Sequence, residues 1–386
     1  MNLAVLNTKL EIIAFIDSYT SLIWADRYNG YGDFELYLPV TADTAKVFRR
    51  GYYVQRVDSN RAMIIEDTES TYDSEDGDYI SVKGRSLESI LDRRIIWGQK
   101  TYDSYLEYAI QRMLNECIIS PEDPDRQIPN FIFEASGDPK IERLKINTQY
   151  TGKNLYEAIV DICADRNLGF QVTLNSQNQF VFKLIRGIDR SYSQNMNPWV
   201  RFSPEFDNLL NSKYTEVSSD YRNVALVMGE DQGNTRKYIT VGSGKGMMRR
   251  ELLVDARDLQ SNDGEDSPPL SDAEINAIMV QRGNENLAEH TNVSTFEGEA
   301  ETATSYIFGV DFNIGDLVQV SNGRGQDDQV RVTEVVINED ESGLYIRPTF
   351  EKTSDDFFVT ENILDSDEEE IFDSDGNPIQ SRMTWE

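Results

Sequence analysis

Few side chains in this chain could form a catalytic centre. The sequence contains a single histidine, His290, which excludes sites built from several histidines and leaves one candidate base for a histidine-dependent triad. His290 falls near the end of a helix predicted to begin at Ser271, where we interpret it as a surface residue. Cys117 and Cys163 could act as nucleophiles only in exposed, electropositive surroundings. Both lie on apolar helical stripes, so we expect buried thiols rather than a disulfide or a nucleophile.

Two further patterns could bind phosphate or a metal ion. The stretch Gly242-Ser-Gly-Lys-Gly246 offers glycines and a lysine, but it lacks the first glycine of a phosphate loop and the Ser or Thr after Lys245. We expect a flexible loop or hairpin tip there. The segments DSDEEE (365–370) and DSDG (373–376) resemble parts of calcium loops, but neither combines a glycine at position six with a glutamate at position twelve. With 68 carboxylates in the chain, pairs suited to glycoside hydrolysis are expected by chance and identify no site.

The tryptophans could line a sugar-binding surface, although tryptophans scattered along a sequence are more typical of core or interface anchors. They are Trp24, Trp97, Trp199 and Trp385. For Trp97 we expect burial after the first β region, so that substitution by alanine would cost about 3–5 kcal/mol. The sequence therefore identifies no catalytic, cofactor-binding or metal-binding residue, and we expect a non-enzymatic protein without a cofactor.

The composition favours a globular protein of two to four domains. The chain has 386 residues, of which 39% are apolar, and a formal net charge of −31. So large an excess of carboxylates argues against a surface that grips nucleic acid, because such binding depends on Lys and Arg. No apolar run is long enough to span a bilayer, and the start of the chain lacks the features of a signal peptide. We therefore expect a soluble protein made in a reducing cytoplasm, without membrane insertion.

The hydrophobic periodicity divides the chain into regions of different structure. Phe34, Leu36 and Leu38 alternate with polar residues, which predicts a half-buried strand within an antiparallel barrel or sandwich over residues 1–85. A helical stripe from Leu106 to Cys117 and a helix capped by Asn154 predict a small α+β region. Strands are predicted again from about residue 200, interrupted by an insertion at roughly 230–290.

The two strand-rich regions share a sequence pattern that predicts an internal repeat. Glycine-led strands, apolar strands containing a Glu, and tight turns follow one another in the same order: Gly51-Tyr-Tyr-Val-Gln55 and Gly315-Asp-Leu-Val-Gln319, Ile64-Ile65-Glu66 and Val332-Thr333-Glu334, and Asp76-Gly77-Asp78-Tyr79-Ile80 and Ser342-Gly343-Leu344-Tyr345-Ile346. Two unrelated antiparallel domains with similar turns are the alternative explanation. If the repeat is real, a trimer would present six similar units and could match a six-fold partner.

Three stretches resemble the tail-hub proteins of long-tailed bacteriophages, also called tail-associated or tail-tip proteins, which are related to the central baseplate hub of contractile phages. They are residues 82–97 (VKGRSLESILDRRIIW), 202–210 (FSPEFDNLL) and 249–257 (RRELLVDAR), and the resemblance covers about residues 1–352. It implies a homotrimer of four-domain subunits, in which two related β-barrel domains form a pseudo-hexameric ring that continues the tail tube. Many members of the family continue into fibre, peptidase or lysozyme regions. This sequence ends in an acidic tail instead, so we expect any such activity to be absent or carried by another protein.

The expected fold is therefore α+β and multi-domain, with two related antiparallel β-barrel domains, an α+β domain between them and a lobe inserted into the second barrel. The predicted boundaries are 1–92 for the first barrel, 93–194 for the α+β domain, 195–230 plus 292–352 for the split second barrel, 231–291 for the inserted lobe, and 353–386 for an acidic flexible tail.

The resemblance also implies a function at the distal end of a phage tail, after assembly in the cytoplasm of the bacterial host. We expect a hub that joins a hexameric distal tail or tube protein to tail fibres, receptor-binding proteins or the end of the tape measure. It would serve as a conduit or plug for DNA ejection, without sequence-specific binding of nucleic acid. The alternative function is a tail-tip protein that binds a receptor or degrades the cell wall.

Overall fold

The computed structural model describes residues 1–41, 44–73, 77–229, 236–259, 270–291, 293–300, 306–321 and 327–352. Within these ranges the fold is α+β with more strand than helix. It contains one large sheet, three small sheets and a few helices. The acidic tail at 353–386 lies outside the described residues, as do the two calcium-like segments within it and Trp385.

The early β unit forms one half of the large sheet. Its strands are antiparallel and lie in the order β3-β4-β7-β6-β5-β1-β2. The elements are β1 Leu3–Leu6, β2 Ile12–Ile16, β3 Ser21–Arg27, β4 Asp33–Pro39, α1 Thr44–Val47, β5 Tyr53–Arg56, β6 Ala62–Asp73 and β7 Gly77–Ser86. The alternation predicted for β4 is confirmed, because Phe34, Leu36 and Leu38 are buried while the residues between them are only partly buried. The turn predicted at 73–77 connects β6 to β7, and its residues 74–76 lie outside the described chain.

The α+β region packs against one face of the early unit. It contains a two-stranded sheet, β8 with β10, and a three-stranded sheet, β11-β12-β9. The elements are β8 Gln99–Tyr105, α2 Leu106–Leu114, β9 Phe131–Glu134, α3 Pro139–Glu142, β10 Lys145–Thr151, α4 Leu155–Asp165, β11 Gly169–Leu174 and β12 Phe180–Ile185. Asn154 caps α4 as predicted, since its side chain accepts hydrogen bonds from the amides of Tyr156 and Glu157.

The late β unit forms the other half of the large sheet. Its strands lie in the order β14-β18-β21-β20-β19, and the short β13 pairs in parallel with β19. The elements are β13 Arg201–Phe202, β14 Leu209–Val217, β18 Val293–Ala300, β19 Leu317–Ser321, β20 Asp327–Asp340 and β21 Gly343–Lys352. Pairing of β20 with β3 joins the two halves, and side chains from both halves fill a single core that includes Trp24, Phe34, Phe202 and Phe350.

A separate small sheet lies between β14 and β18 in the sequence. Its order is β16-β15-β17, and α5 packs on one face. The elements are β15 Val224–Met228, β16 Tyr238–Gly242, β17 Glu251–Asp255 and α5 Asp272–Glu289. The sequence had placed Val224–Met228 in the second barrel. That placement is wrong, because β15 is the central strand of the small sheet and a purely apolar strand does not reveal its partners.

The path of the large sheet runs from β14 to β2 without closing on itself in the described residues. The antiparallel units are therefore observed, while their closure into barrels stays a prediction. No helix in the described part of the chain is both long and apolar enough to cross a bilayer.

Candidate functional site

The side chains that the sequence analysis considered for chemistry occupy different settings in the structure. Cys117 and Cys163 are free and buried, as predicted, and burial raises the pKa of both thiols. His290 follows the end of α5, where its Nδ1 lies 2.9 Å from a carboxylate oxygen of Asp220. Across the ranges that the structure describes, no cluster of three or more His, Cys, Asp or Glu side chains is arranged to hold a metal ion.

The glycine-rich loop is not the hairpin tip that the sequence suggested. It connects β16 to β17, which lie on opposite sides of β15. The side chain of Asn223 fixes this crossover: its Nδ2 donates to the carbonyl of Met248 at 2.7 Å, and its Oδ1 accepts from the amide of Arg250 at 2.8 Å. Lys245 is exposed beside it. The loop is therefore braced from within its own sheet.

The tryptophans differ in burial, and the expectation for Trp97 is wrong. Trp24 is fully buried in the shared core, whereas Trp97 is 51% exposed and Trp199 is 52% exposed. The guanidinium of Arg126 lies 4.0 Å from the centre of the Trp97 ring. Trp97 follows the short helical segment Leu87–Arg93, whose leucines and isoleucine fill the junction instead.

The feature that distinguishes this molecule is the internal repeat, which the structure confirms for five strands. The order β3-β4-β7-β6-β5 in the early unit matches β14-β18-β21-β20-β19 in the late unit. In each unit the third of these strands along the chain, β5 or β19, begins shortly after a glycine with positive φ. The φ angle is 82° at Gly51 and 89° at Gly315. Each hairpin that follows contains an irregularity at the same place, between Ile65 and Asp67 and between Val332 and Glu334.

The backbone hydrogen bonds around these bulges also match. The amide of Gly51 donates to the carbonyl of Ile65 at 2.8 Å, and the amide of Gly315 donates to the carbonyl of Val332 at 2.8 Å. Bulges of this kind are designed features that bend a strand and fix its register. Matching positions in two hairpins, together with a matching strand order, indicate one architecture used twice.

Tyr28 lies where the early unit, the late unit and the α+β region meet. Its hydroxyl lies 3.0 Å from the carbonyl of Arg186 and close to two further carbonyls, those of Asn167 and Ile185. Burial raises the pKa of Tyr28 to about 12, against the opposing charge of Arg331. The ring leaves no space for a Cβ atom at Gly169 or Gly315, where the nearest ring atoms would lie at 2.4 Å.

Arg331 is the buried cation of this junction. Its guanidinium lies 5.0 Å from the centre of the Tyr28 ring and donates to the carbonyls of Arg186 at 2.8 Å and Gly315 at 2.6 Å. Burial lowers its pKa, because the charged form loses solvation. The sequence analysis missed both Tyr28 and Arg331. Their roles depend on contacts between segments more than a hundred residues apart, which leave no local pattern.

A second polar contact fixes α5 to the α+β region. The side-chain amide of Gln281 donates to Asp165 at 3.0 Å and to Glu285 at 3.2 Å, and the hydroxyl of Tyr150 donates to Glu285 at 3.1 Å. Burial raises the pKa of Glu285 to about 7, although the positive charge of Arg282 opposes that shift. We call Tyr150, Asp165, Gln281 and Glu285 the acidic seam.

The comparisons with known proteins agree with this architecture. A family model described as siphovirus ReqiPepy6 Gp37-like protein matches residues 2–350. No curated protein matches the chain significantly. Three solved structures share the fold across almost their whole length, and all three are tail proteins.

The first is the prophage tail protein gp18 from Listeria monocytogenes EGD-e, with a TM-score of 0.53 and 14% identity, covering 92% of this chain and 95% of that one. The second is a tail protein from Neisseria meningitidis MC58, with a TM-score of 0.54 and 12% identity, covering 91% and 96%. The third is the 43 kDa tail protein of prophage MuSo2 from Shewanella oneidensis, with a TM-score of 0.54 and 13% identity, covering 91% and 98%.

Proposed function

Because the chain belongs to the siphovirus ReqiPepy6 Gp37-like family and has the fold of phage tail proteins, we propose that it is the structural hub at the distal end of a phage tail. In this role it acts as a homotrimer without enzymatic activity. One face joins a hexameric distal tail or tube protein. The opposite face receives fibres, receptor-binding proteins or the end of the tape measure.

The observation that supports this proposal best is the repeated five-strand unit. A homotrimer of a chain that carries the unit twice presents six similar units around its axis. Such a ring can meet a six-fold partner on one side and keep three-fold symmetry on the other. In this proposal each unit closes into a barrel in the assembled ring. The domain boundaries predicted from the sequence separate the ring from the α+β region and the inserted lobe, except that the lobe already includes β15.

The charge of the chain suits a conduit for DNA. With a net charge of −31, a bore lined by carboxylates of the two β units would repel the phosphate backbone and let DNA slide without binding. Exposed carboxylates on β6, namely Asp67 and Glu69, are available for this purpose.

Oligomeric state and symmetry test the proposal together. We expect sedimentation or mass photometry of the purified chain, over a wide range of concentrations, to show a trimer, and electron microscopy to show a ring with six similar densities. A closed dimer or a ring without six-fold features would contradict it. Hydrolysis of cell walls in a zymogram, or binding to cell-wall sugars, would instead support the alternative of a wall-degrading or receptor-binding tip protein.

A further inference from the structure

One pairing inside the chain connects the two β units. The second half of β20 pairs in antiparallel fashion with β3, from Glu334 opposite Arg27 to Asp340 opposite Ser21. Arg27 and Glu334 also form an ion pair at 2.6 Å. β3, the first strand of the early five-strand repeat, thus pairs along its outer edge with β20, the fourth strand of the late repeat.

The repeat identifies the counterparts of these two strands. Residues 67–73 of β6 correspond to 334–340 of β20, because both segments follow the bulge and pair with the next strand in the same register. Residues 213–217 of β14 correspond to 23–27 of β3, because they lie opposite the matching residues of the following strand, and the pairing of β14 becomes irregular before Lys213.

Unlike β3 and β20, these counterparts do not pair with each other among the residues that the structure describes. In the part of the molecule that the structure describes, β14 pairs only with β18, and no strand lies on the outer side of residues 67–73. The difference is visible in burial. Residues 67–72 are exposed, and Tyr72 is 74% exposed, whereas Val335 and Ile337 of β20 are buried.

We propose that β14 of one copy pairs with residues 67–73 of β6 in the neighbouring copy, in the register of the internal pairing of β3 with β20. The proposal rests on the homotrimer and specifies its contact. Val217 would lie opposite Asp67, and Lys213 opposite Thr71.

A second copy is the occupant that the molecule itself specifies. The two uncovered edges lie on one chain, and their counterparts already pair with each other. A contact between two different surfaces of identical subunits is heterologous and closes only as a ring. In this register Lys213 would also lie diagonally across from Glu69, an arrangement of opposite charges that favours cross-strand pairing.

Cysteine pairs test the contact at a single register position. Residues directly opposite in an antiparallel pair have Cα atoms about 4.5–5.5 Å apart, which is within reach of a disulfide. The double variant Thr71→Cys/Lys213→Cys places cysteines at the proposed contact between copies. Its matched control, Ile23→Cys/Asn338→Cys, occupies the corresponding pair inside the chain. The native Cys117 and Cys163 are buried in both.

After mild oxidation we expect the test variant to form covalent trimers and the control to form only an internal disulfide. Mixing the two single variants, Thr71→Cys and Lys213→Cys, should give a covalent dimer, which excludes a link within one chain. The variant Thr71→Cys/Val217→Cys shifts the register by four residues, about 13 Å, so it should cross-link at least about ten-fold less.

Sedimentation of the same samples separates the two proposals. If both variants sediment as trimers, and the control forms its internal disulfide while the test variant forms no cross-link, the strand pairing is overturned and the trimeric hub stands. Equal cross-linking of the shifted variant would also overturn the pairing. Cross-linked chains that extend beyond three copies would support the pairing and contradict the trimer.

Discussion

Gly51 and Gly315 occupy equivalent positions in the two β units, but their surroundings differ. Both have positive φ, and both donate their amide hydrogen across the bulge of the following strand. A Cβ atom at Gly51 would meet nothing within 4 Å, whereas a Cβ atom at Gly315 would lie 2.4 Å from the ring of Tyr28. At this position the late unit therefore has a contact that the early unit lacks.

This difference predicts unequal effects of the same substitution. Gly51→Ala should lower the free energy of unfolding by about 1 kcal/mol, the cost of placing a Cβ atom at positive φ. Gly315→Ala carries the same cost and must also displace Tyr28, so we expect a loss of about 3 kcal/mol or more. Denaturant unfolding of both variants measures the difference. Equal losses would show that Tyr28 does not constrain Gly315.

Removing the hydroxyl of Tyr28 should weaken the junction of the three regions. In Tyr28→Phe the buried carbonyls near the hydroxyl lose a donor, and we expect a loss of about 1–2 kcal/mol in unfolding free energy. Tyr108→Phe is the matched control, because Tyr108 is 61% exposed and its substitution should change stability little. A Tyr28→Phe variant as stable as this control would contradict the role assigned to the hydroxyl.

The acidic seam predicts a dependence of stability on pH. Glu285 has a pKa of about 7 in the folded protein, above its ordinary value, so the folded state binds the proton more tightly than the unfolded state does. Its contribution therefore favours folding at low pH and is lost as the pH rises through 7, a change of about 3 kcal/mol between pH 4 and pH 8.

The variant Glu285→Gln should remove this part of the pH dependence, because an amide stays neutral. As the pH rises from 5 to 8, we expect the unmodified protein to lose more stability than the Glu285→Gln variant. Thermal unfolding across that range measures the difference. Glu157→Gln provides the control, since the Glu157 side chain is 59% exposed. The same slope of stability against pH in all three proteins would contradict the assignment.

Substitution by alanine should have very different effects on stability at Trp24 and Trp97. Trp24→Ala empties a fully buried position in the shared core and should cost about 3–5 kcal/mol. Trp97→Ala removes an exposed ring and its contact with Arg126, for which we expect a loss of about 0.5–1 kcal/mol. Urea unfolding followed by circular dichroism distinguishes them. A large loss for Trp97→Ala in the isolated chain would mean that its ring is buried in solution.

Local patterns in the sequence predicted local structure well. The alternation in β4, the cap at Asn154 and the helix that begins at Ser271 are all present. Each depends on neighbouring residues alone. The repeat was also detectable, because glycines at positive φ and strand lengths leave a trace in the order of residues.

Contacts between distant segments left no such trace. Nothing around Tyr28 or Glu285 in the sequence indicates that the hydroxyl of Tyr28 lies near three carbonyls, or that Glu285 accepts a hydrogen bond from Tyr150 of β10. The expectation for Trp97 failed because an apolar segment before it, Leu87–Arg93, fills the junction and leaves the ring outside. Pairing partners of apolar strands such as β15 are equally hidden, since any sheet could accept them.

The small sheet and α5 lie in the stretch of chain between β14 and β18, two strands that are neighbours in the large sheet. Val217 and Val293 face each other across that pair, so the intervening residues leave and return at adjacent points. Antiparallel neighbours can be joined by as few as about two residues, and the framework therefore imposes no minimum on this segment. A change in the length of this stretch outside α5 can therefore leave every strand of the framework with its partner, whereas a loss of α5 would remove the acidic seam.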